Sequence, residues 1–289
     1  MSNLAKTIRI FSENPKFTVE DKLADFNGRP NSSLYIPKVN YDELTQAYGL
    51  PKNDFRERVA VLTNPQDLDV EDPNYKINWI TSVDVRAANA RKLGQVEPFF
   101  QLAAIGVTVT RDNQIVLGVR GGAVTPERIQ QYASGLYGLA PGGSVTFNPN
   151  YKIDPIMDTL VNEFHEEIGC FKILNSKHIG IFEAYRPGPT GIKFVGDITT
   201  DATLEQIQQD NILANKLEEA LKLKGAARKD IDEELREKLL PTDAWEHLHL
   251  IGIPNSSYAI RKMIESQPQS FSGIGAGALE LYAQYLDSK

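Results

Sequence analysis

The sequence predicts a mixed fold of the α/β (α+β) class, in which strands and helices follow one another without a fixed order. The run FFQLAAIGVTVT at 99–110 is apolar and rich in β-branched residues, which is typical of a buried strand. Residues 155–168 carry apolar side chains at helical spacing, which indicates an amphipathic helix. Further segments of both types follow to the end of the chain, as in mixed folds.

A hairpin is predicted ahead of that helix. Turn residues at 111–113 separate the strand at 99–110 from a second strand at 115–119. A short strand at 136–139 then leads into Pro141-Gly142-Gly143. These segments would form the start of the main sheet.

The limits of the helix at 155–168 are signalled by its flanking residues. Asp154 is a good N-cap residue, and Pro155 suits the first helical position. Gly169 follows the last apolar residue and is a typical C-terminal stop. The segments expected after it are strands at 179–185, 192–198 and 248–253 and helices at 204–240 (broken near Gly225), 258–265 and 277–286.

The chain is divided here into two regions. Residues 1–95 are interpreted as an N-terminal region of short strands and loops, with strand-like runs at 8–11, 34–36 and 59–62 and a short helix at 41–48. Residues 96–289 form the main domain, with a helical insertion at about 203–240. A length of 289 residues is consistent with one or two domains.

Composition excludes several classes of protein. The net charge of -7 argues against a general nucleic-acid coat, although a local basic pocket for one phosphate ligand stays open. The single cysteine, Cys170, excludes an intramolecular disulfide framework and a cysteine-based zinc site. The first residues lack the apolar core of a signal peptide, and no run of 18 apolar residues occurs. We therefore expect a cytoplasmic protein without membrane contact.

Three carboxylates share one part of the helix surface. On an ideal α-helix, Glu166 and Glu167 would lie about 60° and 40° to either side of Glu163, beside the apolar stripe. Like charges so placed repel one another. A divalent cation such as Mg²⁺, which prefers oxygen ligands, would neutralise them. The alternative is an acidic face that merely contacts water.

Residues 141–170 resemble the signature of the Nudix hydrolases, G-x5-E-x7-R-E-U-x-E-E-x-G-U, where U is apolar. Gly143 matches the first glycine, and EFHEEIGC at 163–170 matches E-U-x-E-E-x-G-U with Cys170 counted as apolar. There are three departures. Asn162 replaces the arginine, Asp154 replaces the first glutamate, and the loop between Gly143 and Asp154 is five residues longer. We expect Asp154 and Asn162 to replace the family's ion pair with a weaker hydrogen bond.

The resemblance implies a fold, a reaction and a metal site. The fold would be a Nudix-type α/β/α sandwich with a mixed sheet from about residue 98 onward, with residues 1–95 as an extra region. The reaction would be Mg²⁺-dependent hydrolysis, with Mn²⁺ as a substitute, of a nucleoside diphosphate linked to another moiety. Glu163, Glu166 and Glu167 would be catalytic metal ligands, with the Gly142 carbonyl as a further ligand. Glu163 could instead be the general base.

Residues outside the motif could complete the site. Glu183, Asp197 and Glu246 are the candidates for a further acidic residue of the site. The alternative for each of them is a surface carboxylate without a catalytic role. Arg120 and Arg186 could bind the diphosphate through their guanidinium groups. His247 and His249 alternate on a predicted strand and would face one side, which leaves a two-histidine metal site open. The aromatic residues considered for base stacking are Tyr132, Tyr137 and Phe147.

Three functions remain open on this basis. The favoured one is hydrolysis of a sugar nucleotide such as UDP-glucose, because the long N-terminal region and the late strand are weakly similar to the UDP-glucose pyrophosphatase branch. ADP-ribose or a dinucleotide is the alternative substrate. The second function is an inactive nucleotide sensor, supported by Asn162. The third is an interaction protein that uses the helices at 204–240. The partner would be a small molecule, and a homodimer is left open.

Overall fold

The structure is a computed structural model, which describes residues 5–11, 15–19, 58–62, 74–81, 100–121, 135–147, 154–184 and 191–289. The strand expected at 34–36 and the helix expected at 41–48 lie outside these residues. Arg186 and Tyr132 lie outside them as well.

The described strands form one branched sheet. Its longest path runs in the order β1-β9-β10-β5-β3-β4-β2, while β6 and β8 pair with β5, and β7 and β11 pair with β6. The strands are β1 Ala5–Ile10, β2 Lys16–Val19, β3 Arg58–Leu62, β4 Asn74–Thr81, β5 Phe100–Val109, β6 Gln114–Arg120, β7 Tyr137–Leu139, β8 Gly142–Ser144, β9 Ile173–Ala184, β10 Ile192–Thr200 and β11 His247–Pro254.

The central strand β5 makes the sheet mixed. It pairs in parallel with β10 and antiparallel with β3, β6 and β8. Its side chains are buried from both faces, which is why its sequence is a continuous apolar run rather than an alternating one. The predicted hairpin of β5 and β6 is confirmed, with Val109 paired to Ile115 across the turn.

Helices cover both faces of this sheet. They are α1 Pro155–Glu163, α2 Leu204–Leu223, α3 Arg228–Glu237, α4 Ser257–Ser266 and α5 Gly273–Asp287. Alternate residues of β5 enter two apolar cores: Leu102 packs with α1 on one face, and Val107 packs with α4 and α5 on the other. The predicted mixed α/β class and its sandwich of layers are confirmed.

Strands from the N-terminal region join the same sheet. β1 pairs antiparallel with β9, and β3 pairs with β5 at Val61–Gln101 and Leu62–Phe100. Tyr75 of β4 is fully buried in the core that contains α1. The described part of residues 1–95 therefore contributes to the main core, while the boundary near residue 95 stays a prediction.

The predicted continuous α-helix at 155–168 is wrong in its last turn. The α-helix ends at Glu163, and Phe164–Ile168 form a π-helical turn. The N–H of Gly169 donates to the carbonyl of Phe164, five residues earlier, at 3.1 Å. Because a π-helical turn holds more residues than an α-helical one, the angles expected for Glu166 and Glu167 do not apply. Gly169 does end the helix, with φ of 128°.

Asp154 has a different partner from the one expected. Its Oδ1 caps α1 by accepting from the N–H groups of Ile156 and Met157, as predicted. Its Oδ2 lies 2.6 Å from Nε2 of His178, whose side chain is only 3% exposed. Burial alone would raise the pKa of Asp154, but the hydrogen bond and charge of His178 hold it below its usual value. The expected bond to Asn162 is therefore replaced, and Asn162 lies exposed.

Asp154→Ala should destabilise the protein by about 2 kcal/mol or more. A lost N-cap costs about 0.5–2 kcal/mol, and the buried His178 would lose its partner, which costs about 1–3 kcal/mol more. The measurement is chemical denaturation of both proteins. Ser256→Ala is the matched control, because Ser256 caps α4 through the N–H of Ala259. Equal losses in the two variants would show that the Asp154–His178 bond adds nothing.

The two helices expected at 204–240 are present, while their interpretation as an insertion stays a prediction. Gly225, with φ of 79°, separates α2 from α3, and Thr203 and Gln206 form a capping box at the start of α2. The two helices pack on a small core of Ala214, Ile231, Leu235 and Ala244. In the part of the chain that the structure describes, no helix is long and apolar enough to cross a membrane.

Candidate active site

Glu167 is the centre of a buried acidic cluster. It is 2% exposed, although carboxylates are rarely buried without partners. Its Oε1 accepts the N–H of Gly142 at 3.1 Å, and its Oε2 lies 2.8 Å from Nε2 of His247. The end of the α1 segment, the start of β8 and the start of β11 thus meet at one carboxylate.

Glu163 lies against both Glu167 and the glycine turn. Its carboxyl group is close enough to that of Glu167 for the two charges to act on each other. A Cβ atom added to Gly143 would lie 1.9 Å from Oε1 of Glu163, which is an overlap. A residue without a side chain is therefore required at position 143 while Glu163 keeps this position. Gly143 matters here for the space it leaves rather than for an unusual backbone angle.

The cluster disfavours negative charge. Burial raises the pKa of Glu163 to about 9, with further contributions from the charges of Glu167, Glu166 and Glu246. Burial and the charge of Glu246 raise the pKa of Glu167 to about 8. The hydrogen bond from the N–H of Gly142 and the charge of Arg120 act in the opposite direction and lower it. Such a cluster gains stability from any positive charge that enters it, whether protons or a metal cation.

Glu166 has charged neighbours of its own, although its charge also acts on Glu163. Burial raises the pKa of Glu166. The negative charges of Asp243 and Asp232 raise it further, whereas the positive charge of Arg236 lowers it. Its backbone carbonyl accepts the N–H of Asp243 at 2.7 Å. Among the described residues, no three His, Cys, Asp or Glu side chains already have the arrangement of a metal site. The predicted three-carboxylate site stays a prediction, and the structure brings two of its members into contact.

Of the candidate acids outside the motif, Glu246 is at the cluster. Its charge acts on both Glu163 and Glu167, and its Oε2 forms a 2.9 Å ion pair with Arg120. Asp197 is buried elsewhere, and its charged neighbours are Lys177 and Lys289. Glu183 lies on β9. Arg120 is therefore near the site as expected, but it pairs with Glu246.

The expectation that His247 and His249 face the same side is wrong. The register of β11 against β6 shifts between these residues, because one extra residue bulges out of the pairing. His247 is therefore buried, whereas His249 is exposed. Burial lowers the pKa of His247 to about 4, so its ring is neutral at pH 7. A Cβ at Gly118 would overlap this ring, which is why β6 has a glycine there.

Two of the aromatic residues considered for base stacking pack elsewhere. Tyr137 contacts Phe271, with ring centroids 5.3 Å apart, and Phe147 contacts Trp79 at 5.4 Å. The aromatic residue next to the cluster in sequence is Trp245, which is 49% exposed. Sequence reasoning did not identify Trp245 or the role of His247, because no local spacing connects them to the glutamates 80 residues earlier.

Comparisons with known proteins return distant structural similarity. No protein-family model and no curated protein match the chain. A solved structure of a NUDIX hydrolase from Nitrosomonas europaea shares 12% identity and a TM-score of 0.38, and the match covers 64% of this chain and 90% of that one. A bifunctional NMN adenylyltransferase/ADP ribose pyrophosphatase from Francisella tularensis shares 16% identity and a TM-score of 0.25, with coverage of 37% and 30%.

The residues of the motif lie together on one face of the sheet. The motif glutamates Glu163 and Glu167 meet at the Gly142–Gly143 turn, and the helix that carries them packs on one face of a mixed sheet covered by helices on both sides. In this motif the chain resembles the Nudix hydrolases.

Proposed function

We propose that this protein is a Nudix-type hydrolase, which cleaves the diphosphate of a nucleoside diphosphate linked to another moiety. The observation that supports this most strongly is that a buried Glu167 and a half-buried Glu163 lie together at the Gly142–Gly143 turn. A purely structural role gives no reason to withdraw two neighbouring carboxyl groups from water, because this costs stability at neutral pH.

The residues at the cluster fit a divalent cation in their chemistry. They offer carboxylate oxygens, which Mg²⁺ and Mn²⁺ prefer, and their raised pKa values indicate a deficit of positive charge. We propose Glu163, Glu166 and Glu167 as ligands, with the Gly142 carbonyl as a further one. When bound, the cation would neutralise the diphosphate and acidify a water molecule.

The other residues of the cluster would position this carboxylate set. His247 would hold Glu167 through Nε2, in the way that outer residues orient metal ligands. Arg120 would balance the charge of Glu246 and lie ready for a phosphate oxygen. Glu163, whose pKa is raised to about 9, is a ligand or else the base that takes a proton from water.

The substrate that we favour is a sugar nucleotide such as UDP-glucose, with ADP-ribose or a dinucleotide as the alternative. The protein would act in the cytoplasm, and its single cysteine is consistent with a reducing compartment.

A nucleotide sensor without hydrolysis is the second candidate. It is favoured by the exposed Asn162 at the arginine position of the motif. A sensor would bind nucleotides and leave them intact.

The experiment is phosphate-product release from UDP-glucose, ADP-ribose, NADH, diadenosine polyphosphates and nucleoside triphosphates, each with Mg²⁺, Mn²⁺ or EDTA. Cleavage of one class that depends on the cation would support the hydrolase and identify its substrate. Intact substrates together with nucleotide-dependent thermal stabilisation would support the sensor. Neither cleavage nor stabilisation would contradict both functions.

Gly143→Ala should lower turnover by about ten- to a hundredfold, since the new Cβ would displace the Glu163 carboxylate and misplaced catalytic groups lose rate at this scale. Gly273→Ala is the matched control, because a Cβ there meets no atom within 4 Å. The measurement is steady-state hydrolysis of the best substrate at saturation. Equal turnover in the two variants would contradict a catalytic position for Glu163.

A further inference from the structure

A groove of about 360 Å³ lies beside the acidic cluster. Its walls come from α2, from the 3-10 turn at Ala244–Glu246 and from β11. This volume falls within the range of small-molecule sites, about 300–1,000 Å³. Residues 203–240, which include α2, were expected to be an insertion, so this groove is a feature that the motif does not explain.

Buried polar side chains line the groove. Asn211, Glu218 and His247 are 1%, 2% and 1% exposed. Oε2 of Glu218 is buried without a hydrogen-bond partner. Since buried polar atoms in native proteins are usually paired, this carboxylate oxygen points to a polar ligand rather than to an apolar partner.

Trp245 provides a fixed aromatic surface in the groove. Its Nε1–H donates to Oδ1 of Asp243 at 3.0 Å, and the guanidinium of Arg228 lies 5.8 Å from its ring centroid. Arg228 is itself held by ion pairs to Glu218, Asp232 and Asp243. The ring keeps this orientation while half of it stays exposed, so a planar ligand could stack on it without ordering the side chain first.

Three consecutive residues connect the groove to the acidic cluster. Trp245 lines the groove, Glu246 acts on the charges of Glu163 and Glu167, and His247 lines the groove while its Nε2 contacts Glu167. A molecule with a planar ring at one end and a diphosphate at the other could therefore contact both sites at once.

We propose that this groove binds the nucleobase of the substrate, stacked on Trp245. The amide nitrogens of Asn211 and Asn215 already donate to the carbonyl of Ala244. The polar edges of the base and its ribose would therefore face Oδ1 of Asn215 and the exposed ammonium of Lys216. The proposal that the attached diphosphate lies at the acidic cluster rests on the proposed function. The binding of the base to the groove does not.

The test uses the full chain in EDTA, so that metal binding plays no part. The chain has two tryptophans, and the other one, Trp79, is 4% exposed in the core. In a Trp79→Phe background, tryptophan fluorescence reports Trp245 alone. Titration with AMP, GMP, UMP and CMP should give saturable quenching with at least one of them. In a Trp245→Phe variant that keeps Trp79, the same nucleotide should leave the fluorescence of Trp79 unchanged.

Affinity is then measured by calorimetry with that nucleotide. Trp245→Ala should weaken binding about tenfold, because stacking of a base on an aromatic side chain typically contributes this much or more. Tyr258→Ala is the matched control, since Tyr258 is an exposed aromatic outside the groove (72% exposed) and should bind as the wild type does. Circular dichroism checks that both variants are folded.

The outcomes separate this inference from the proposed hydrolysis. Absence of quenching by all four nucleotides, or equal affinity in Trp245→Ala and the wild type, would overturn it and leave the groove to a protein partner. Hydrolysis with an unchanged KM in Trp245→Ala would overturn it as well, while the hydrolase assignment would stand. Binding that requires Trp245 without any hydrolysis would support it and contradict the proposed function.

Discussion

Glu167→Gln is expected to lower the turnover of diphosphate hydrolysis by at least about a hundredfold, and Glu163→Gln by a similar factor. Glutamine keeps the shape of the side chain but removes the charge that would hold the cation. Neither change should unfold the protein, because burial raises the pKa of both carboxyl groups and their ionised forms are unfavourable in the fold. The measurements are steady-state hydrolysis and the midpoint of thermal unfolding.

A matched control and a third variant sharpen this test. Glu183→Gln should keep wild-type turnover, since Glu183 lies on β9 and is not one of the charges acting on Glu163 or Glu167. Glu166→Gln should also lower turnover, because the charge of Glu166 reaches Glu163. Wild-type rates in both Glu163→Gln and Glu167→Gln would rule out the cluster as the catalytic centre.

The metal-free protein is expected to lose stability as pH rises from about 7 to 9. The pKa of Glu163 is about 9 in the fold against 4.5 in the unfolded chain, so between these values the folded state binds more protons. Stability therefore falls as pH rises through this range, and Glu167 acts in the same direction. His247 acts oppositely, but only between pH 4 and 6.5, because its pKa is lowered from 6.5 to about 4.

Thermal unfolding in EDTA at pH 7, 8 and 9 measures this effect, and each kcal/mol lost should lower the midpoint by about 2–4 °C. Added Mg²⁺ should restore the midpoint, because the cation replaces the protons that the cluster releases. Glu163→Gln should give a smaller slope with pH and a smaller response to Mg²⁺. A wild-type midpoint that changes with neither pH nor Mg²⁺ would show that the carboxylates are not buried as described.

Local features of the fold were predictable because neighbouring residues determine them. Asp154 and Pro155 begin α1, Gly169 ends the helical segment and Gly225 separates α2 from α3. The long β5 was visible as a continuous apolar run, since a strand buried on both faces has no polar side to show. The spacing of Glu163, Glu166 and Glu167 likewise indicated the segment that carries the acidic cluster.

The side chains that surround the acidic cluster and the cap of α1 come from distant segments of the chain, and local residue spacing does not reveal such contacts. His247 reaches Glu167 from 80 residues away, and His178 reaches Asp154 from 24 residues away. A bulge in β11 buries His247 and exposes His249, and a π-helical turn carries Glu166 and Glu167. Burial and pairing of this kind arise only when the layers pack. The sequence by itself therefore determined the elements and the acidic motif, whereas packing decided which carboxylates meet and which residues surround them.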